Sequence, residues 1–201
     1  MNKQANTDYP VHELIQKRWS PRAFAEKMVE PEKLKSLFEA ARWAPSSFND
    51  QPWRLIVATK DQPEDYERLL GCLGEFNQAW AKSAPVLILS VASLKFGHND
   101  KPNRHAYHDV GMAVENLSLQ AASYELFVHQ MAGYDADKAR EVFSIPQAFD
   151  PVAALALGYL GDPDQLSDDM KEKELAARSR KPLSEWVFAA SGDWGETSSL
   201  V

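Results

Sequence analysis

The chain is short of cysteine, of positive charge and of long apolar runs, and each shortage removes a class of function. Its one cysteine, Cys72, excludes an intramolecular disulfide and every multi-cysteine metal site, and it suits a reducing cytosol. Lys and Arg number 22 against 29 Asp and Glu, for a formal net charge of -7. No overall positive field therefore draws the protein to nucleic acid or to acidic lipid, and an anionic ligand must be held by a local cluster of Arg or Lys. The longest apolar stretches, Ala84 to Ala92 and Pro151 to Leu160, are too short to span a bilayer. The polar start from Met1 to Thr7 has no apolar segment of the signal-peptide kind. A cytoplasmic protein with neither a nucleic-acid nor a membrane partner is expected. No Gly-x-Gly-x-x-Gly occurs to support a Rossmann nicotinamide site, and no Gly-x-Ser-x-Gly elbow presents a nucleophilic serine. Internal repeats and low-complexity runs are absent too.

What is present suffices for one substantial core: 201 residues, 44% of them hydrophobic, read as a single domain over 1–201 with residues 186–201 as a C-terminal tail. The spacing predicts a first helix over Pro10 to Lys17, capped by Asp8, and a second from Pro31 that aligns Leu34, Leu37, Phe38 and Ala41 and is stopped by Pro45. A polar loop, Ala44 to Trp53, leads into a strand over Arg54 to Thr59. A short helix after Pro63, a loop over Gly71 to Asn77 and a strand from Val86 to Val91 come next. The longest helix is expected over Asn103 to Tyr124, where Val110, Ala113, Val114, Leu117 and Ala121 recur at helical spacing. A strand over Leu126 to Met131, a turn at Gly133, a helix over Asp135 to Phe143 and a strand over Val152 to Tyr159 complete the pattern. From Asp162 onward the chain is charged or irregular, with little core of its own. Helices and strands mix without strict alternation, so the fold class is α+β, one sheet with flanking helices.

Two basic clusters lie at opposite ends of the chain: Arg18, Ser20 and Arg22, with Trp19 among them, and Arg178, Ser179 and Arg180. Alone, each is solvated surface charge. Brought together in an acidic chain, they are what a phosphate monoester needs, because guanidinium forks and hydroxyls give charge-assisted hydrogen bonds to several oxygens. His105 and His108 stand at a helix start with no third ligand near, and no metal is expected.

Arg18-x-Ser20-x-Arg22-x-Phe24 followed by Ala44-Pro45-Ser46-Ser47-x-Asn49-x-Gln51-Pro52-Trp53 resembles the nitroreductase family. The resemblance continues through Asn77, Ala84-Pro85, Asp109-x-Gly111-x-Ala113-x-Glu115-Asn116-Leu117, Gly133-Tyr134-Asp135 and Arg178-Ser179-Arg180-x-Pro182-Leu183, covering the chain to about Glu185. It implies a mostly antiparallel sheet flanked by helices, an intertwined homodimer, and FMN bound at the subunit interface. It also implies NADH or NADPH as a dissociable hydride donor and a small-molecule electron acceptor such as a nitroaromatic or a quinone, in ping-pong exchange. Arg18, Ser20, Arg178 and Arg180 would lie at the phosphate and ribityl end, Arg22 near N1 and the C2 carbonyl, Asn77 at the pyrimidine edge and the Gly133 N–H at N5, with Trp19 a further cofactor-binding residue. Pro45, Ser46, Ser47 and Asn49 would come from the other subunit. No side-chain acid or base is implied. Ala132 stands where many members carry an acidic residue, and Trp80 where some carry a lysine, so substrate choice is left open. A specialised flavoenzyme of the same fold, dehalogenating or flavin-fragmenting, and a non-catalytic flavin-binding or interaction protein remain as alternatives.

Overall fold

The computed structural model describes residues 3–190 and 193–200. Four strands form one sheet in the order β1-β2-β4-β3: β1 Trp53–Thr59, β2 Val86–Ser93, β3 Leu126–Met131 and β4 Phe149–Tyr159. Every neighbouring pair is antiparallel. Helices α1 (Glu13–Lys17) and α2 (Pro31–Arg42) precede the sheet, and α3 (Pro63–Leu70) and α4 (Glu75–Ala81) join β1 to β2. The long α5 (Ala106–Ser123) joins β2 to β3, α6 (Ala136–Val142) joins β3 to β4, and α7 (Asp168–Leu175) follows. The architecture is α+β, as the sequence pattern implied. Among the described residues no helix is long and apolar enough to cross a membrane.

The centre of the sheet explains its own sequence. Val86 to Ala92 is buried throughout, because both faces of β2 are covered. Val86, Ile88 and Ala92 enter a core shared with α2 and α5, while Leu87, Leu89 and Val91 enter a second core with Tyr66, Leu69, Trp80 and Phe24. A strand buried on both faces reads as a continuous apolar run rather than an alternating one. The ladder between β2 and β4 shifts register between Ser90 and Val91, which pairs Val91 with Pro151. A proline, lacking an N–H, is tolerated at such an irregularity. Ser90 Oγ donates to Ala153 O at 2.9 Å and accepts from Ala153 N at 3.1 Å.

Three expectations need correction. Helix α1 begins at Glu13 rather than Pro10, and its cap is His12, whose Nδ1 accepts from Leu14 N at 3.2 Å, rather than Asp8. The stretch expected to be a loop over Gly71 to Asn77 contains the start of α4, so Asn77 and Trp80 lie one turn apart on a helix. The tail expected to be irregular contains α7, whose one buried residue is the carboxylate of Glu174. Periodic apolar residues reveal most helices, and α7 has almost none. Elsewhere the boundaries move only slightly. Helix α5 starts three residues later than Asn103, whose side chain accepts from His105 N at 3.0 Å.

The segment after the basic turn lies against the far end of β4. Phe24 bridges Leu160 in antiparallel fashion, Ala25 N donates to Tyr159 O and Gly161 N donates to Ala23 O, each at 2.9 Å. A Cβ on Gly161 would stand 2.5 Å from the Phe24 carbonyl carbon and oxygen, so only glycine permits this approach. On the neighbouring β3, His129 is half-buried and its Nδ1 lies 2.8 Å from Pro21 O. Burial pushes the imidazole down to about 4 from an ordinary 6.5, and the Arg22 charge acts in the same direction. A histidine whose folded-state pKa is depressed contributes stability that is fully present above about 6.5 and is lost as pH falls through about 4. Urea unfolding should therefore show His129 removing on the order of 2–3 kcal/mol between pH 7 and pH 4. His129→Phe should flatten that part of the profile, and a variant with the wild-type slope would contradict the assignment.

Candidate functional site

The basic turn and the C-terminal segment meet through one carboxylate. Glu174, 1% exposed, receives Arg22 N at 2.9 and 3.0 Å on its two oxygens and Ala23 N at 3.1 Å. The Lys3 ammonium donates to the Glu174 carbonyl, which adds the N-terminal arm to the junction. Just beyond α7, Arg178 Nη1 donates to Gln16 O at 2.8 Å and to Lys3 O at 3.1 Å. Arg18, Arg178 and Arg180 then line one pocket of 170 Å³, together with Ser179 and with Asn6 and Thr7 of the arm. Burial lowers the Arg178 pKa from its ordinary value, and the charges of Arg18 and Arg180 add to the effect. Arg18 Nε stands 3.1 Å from Glu115 Oε1 on α5. Arg178 and Arg180 bond only to backbone carbonyls among the described residues. Clustered guanidinium groups short of counter-charge make a site that an anion stabilises.

The structure does not bring every residue of the first basic cluster into that pocket. Ser20 is exposed and Arg22 half-buried, and neither belongs to the lining. Arg22 Nε is buried with no hydrogen-bond partner, a donor of the kind that native structures almost always satisfy. The Trp19 side chain points elsewhere: it packs edge-on against Phe127 at 6.1 Å between ring centroids and lines a separate cavity of 510 Å³.

Asn77 and Gly133 are adjacent. Asn77 Nδ2 donates to Gly133 O at 2.9 Å, and Asn77 Oδ1 accepts from Trp80 Nε1 at 3.3 Å. Gly74 N also donates to Gly133 O, at 3.0 Å. A Cβ on Gly133 would lie 2.6 Å from Asn77 Nδ2, so glycine is required for the side-chain amide to sit against the strand end. The Gly133 N–H has no acceptor among the described residues, and together with the Arg22 Nε it offers two uncommitted donors.

The loop carrying Pro45, Ser46, Ser47 and Asn49 forms a separate group. Phe48, Asn49 and Gln51 have φ of 56°, 55° and 52°, the left-handed region that non-glycine residues rarely adopt. Hydrogen bonds maintain this geometry: Ser47 N donates to Oδ2 of the buried Asp109 at 3.0 Å, and Gln51 N to Ser46 Oγ at 3.0 Å. Among the described residues no hydrogen bond or ion pair joins this loop to Arg18, Arg22, Arg178 or Arg180. Of the twelve residues singled out by the sequence, nine thus divide within one chain into an arginine pocket, an Asn77–Gly133 edge and a strained loop, while Trp19, Ser20 and Arg22 stand outside the pocket.

Four contributors escaped the sequence reading. Asn6, Thr7 and Glu174 carry no local signal, since polar residues in an arm and a glutamate in a charged helix are ordinary surface chemistry. His129 did carry one: it shares the inward face of β3 with Phe127 and Met131 by simple alternation.

The profile of the nitroreductase family matches residues 15–76 and 72–159. Among solved structures, one described as an oxidoreductase containing FMN is 37% identical, with a TM-score of 0.87, covering 92% of this chain and 94% of that one. A nitroreductase family protein of Clostridium difficile is 28% identical at a TM-score of 0.69, covering 89% and 96%. An NADH dehydrogenase of Thermus thermophilus is 26% identical over 174 residues, which span 71% of this chain and 83% of that protein. Arg178, Arg180 and the arm lie outside the family-matched ranges, so their arrangement must be tested on this chain. Glu174→Ala leaves two main-chain amides without an acceptor and should cost roughly 1–3 kcal/mol for each in denaturant unfolding. Unchanged stability would show that the junction is not held as described.

Proposed function

This chain belongs to the nitroreductase family, and from that premise we propose that it is an FMN-dependent oxidoreductase working as a homodimer on small electrophilic acceptors. The observation that carries the reading is the convergence of Arg18, Arg178 and Arg180, from opposite ends of an acidic chain, on one pocket. The residues present fit FMN. Three guanidinium groups with Ser179 suit its phosphate, the unpartnered Arg22 Nε suits an electron-rich edge of the ring, and the glycine gap at Gly133 lets a free N–H approach a ring atom. Held by these residues, FMN would supply hydride-transfer chemistry between NADH or NADPH and a nitroaromatic, a quinone or another small electrophile, with the two partners occupying one site in turn.

The protein's own part is position and electrostatics. Arg22 favours a negatively charged ring, the Gly133 N–H polarises the atom it faces, and Asn77, already committed to Gly133 O, fixes that edge. No side-chain acid or base is needed, and the acceptor takes its proton from solvent. The loop at Pro45, Ser46, Ser47 and Asn49 serves the partner's pocket rather than its own. Its separation from the arginine end within one chain supports this. So does the exposed Gly111 on α5, where an added Cβ would meet nothing within 4 Å and a neighbouring helix could approach closely. The chain acts as one FMN-binding domain, and its single cysteine is consistent with work in the cytoplasm.

The test is the visible spectrum of the purified protein, followed by turnover with a nicotinamide donor and a quinone. A flavin spectrum, with FMN as the released cofactor and parallel-line initial-rate kinetics, is the expected result; a colourless protein that takes up no FMN would reject the proposal. Arg18→Ala and Arg180→Ala should each weaken FMN retention by about 1.5–3 kcal/mol, and wild-type affinity in both would remove the phosphate assignment. Light scattering should give the mass of a dimer, whereas a flavin-loaded monomer would refute the shared site.

A further inference from the structure

Between the basic turn and Gly133 runs an unbroken series of side-chain contacts. His129 Nδ1 lies 2.8 Å from Pro21 O. The His129 ring packs on Trp80 with centroids 4.5 Å apart. Trp80 Nε1 donates to Asn77 Oδ1 at 3.3 Å, and Asn77 Nδ2 donates to Gly133 O at 2.9 Å. Phe24 stacks on Trp80 at 6.4 Å, and both rings are fully buried, so the series cannot slide without opening a core. Each link is directional. A carbonyl oxygen only accepts, so Nδ1 must carry the proton, and the indole N–H only donates, which fixes Asn77 with its oxygen toward Trp80 and its NH₂ toward Gly133.

We propose that His129 is a positioning residue: it fixes the Pro21 carbonyl, and with it Arg22, at a set distance from the Asn77–Gly133 edge, so that both grip one planar ring. This rests on the FMN reading for the identity of the ring, whereas the coupling between Pro21 and Gly133 is a property of the polypeptide alone. The role requires a neutral imidazole, and the burial of His129 beside the Arg22 guanidinium keeps it so at neutral pH. A protonated ring would add a second cation next to Arg22, whereas the neutral ring leaves Arg22 as the charge that acts on the ligand. Among the described residues, Arg22 is the charged group whose field lowers the His129 pKa. Trp80 contributes shape and one donor but no charge.

The test compares His129→Phe, which keeps an aromatic face on Trp80 and loses the donor, with His129→Asn, whose Nδ2 stands where the imidazole Nδ1 stood and so regains a donor to Pro21 O. Two readouts are used: the midpoint potential of bound FMN, and the NMR positions of the Trp80 indole N–H, the Asn77 side-chain amide and the Gly133 amide in flavin-free protein. In His129→Phe the potential should become more negative with FMN affinity changed by no more than about threefold, a small change on the affinity scale, and the Asn77 and Gly133 signals should move. His129→Asn should return both toward wild type. A His129→Phe protein with the wild-type potential and unmoved signals overturns the proposal. If wild type takes up no flavin, the FMN reading fails separately and the NMR comparison decides the positioning role by itself. If His129→Phe does not fold, His129→Asn against His129→Leu, which has the same branched shape and no donor, gives the same comparison.

Discussion

The junction at Glu174 is the constraint on which the candidate site depends. Its carboxylate accepts two consecutive main-chain N–H groups, those of Arg22 and Ala23, at the point where the basic turn runs onto the end of β4. Buried polar groups need partners, and a carboxylate receiving several backbone amides is a strong arrangement of that kind. The bond does two things at once. It fixes the turn that carries Arg18 to Arg22 against the sheet, and it docks α7, so that Arg178 and Arg180 return to the same place. Together with the Arg178 bonds to Gln16 O and Lys3 O, it joins two basic clusters that would each be surface charge alone.

Concentrating three guanidinium groups is costly in itself. The Arg178 pKa is lowered first by burial and then by its two neighbours, which means that the folded chain pays for the cluster in desolvation as well as in electrostatic repulsion. Backbone carbonyls of Lys3 and Gln16 offset part of this, and an anion offsets more. The overall charge of -7 means that the pocket's attraction for an anion is local, with no net positive field of the whole chain behind it. Strain in the Phe48–Gln51 turn has a parallel meaning. Several left-handed non-glycine residues persist only where surrounding bonds over-determine them, and such strain gathers where a loop must present specific groups.

Most of the fold was legible in the sequence, and for one physical reason: the sheet and its principal helices are built from apolar residues whose spacing reports which face is buried. Helices α2 and α5 and strands β2 and β3 follow directly from Leu37, Ala41, Val86, Ile88, Val110, Leu117, Leu126 and Val128. Helix α7 was hidden because its anchor is an ion rather than a hydrophobe. Helix α4 was hidden because Gly71 and Gly74 suggest a loop while Trp80 and Ala81 alone mark its buried side. Of the site, residue types were readable but not directions. Trp19 was grouped with its neighbours, yet its ring turns toward Phe127, and Ser20 and Arg22 stand apart from the pocket that Arg18 enters. Which side chains of a tight turn point inward is set by backbone geometry that composition does not encode. The contributions of Asn6, Thr7 and Glu174 depend on contacts between the two ends of the chain, and no local pattern foretells those.

The account stands on the pocket of Arg18, Arg178 and Arg180 being built for a phosphate. The direct measurement is calorimetric titration of the flavin-free protein with FMN and with riboflavin, which share the ring and differ in that group. The account predicts that FMN binds at least about a hundredfold more tightly, as two or more charge-assisted hydrogen bonds require. Equal affinity for the two would contradict it.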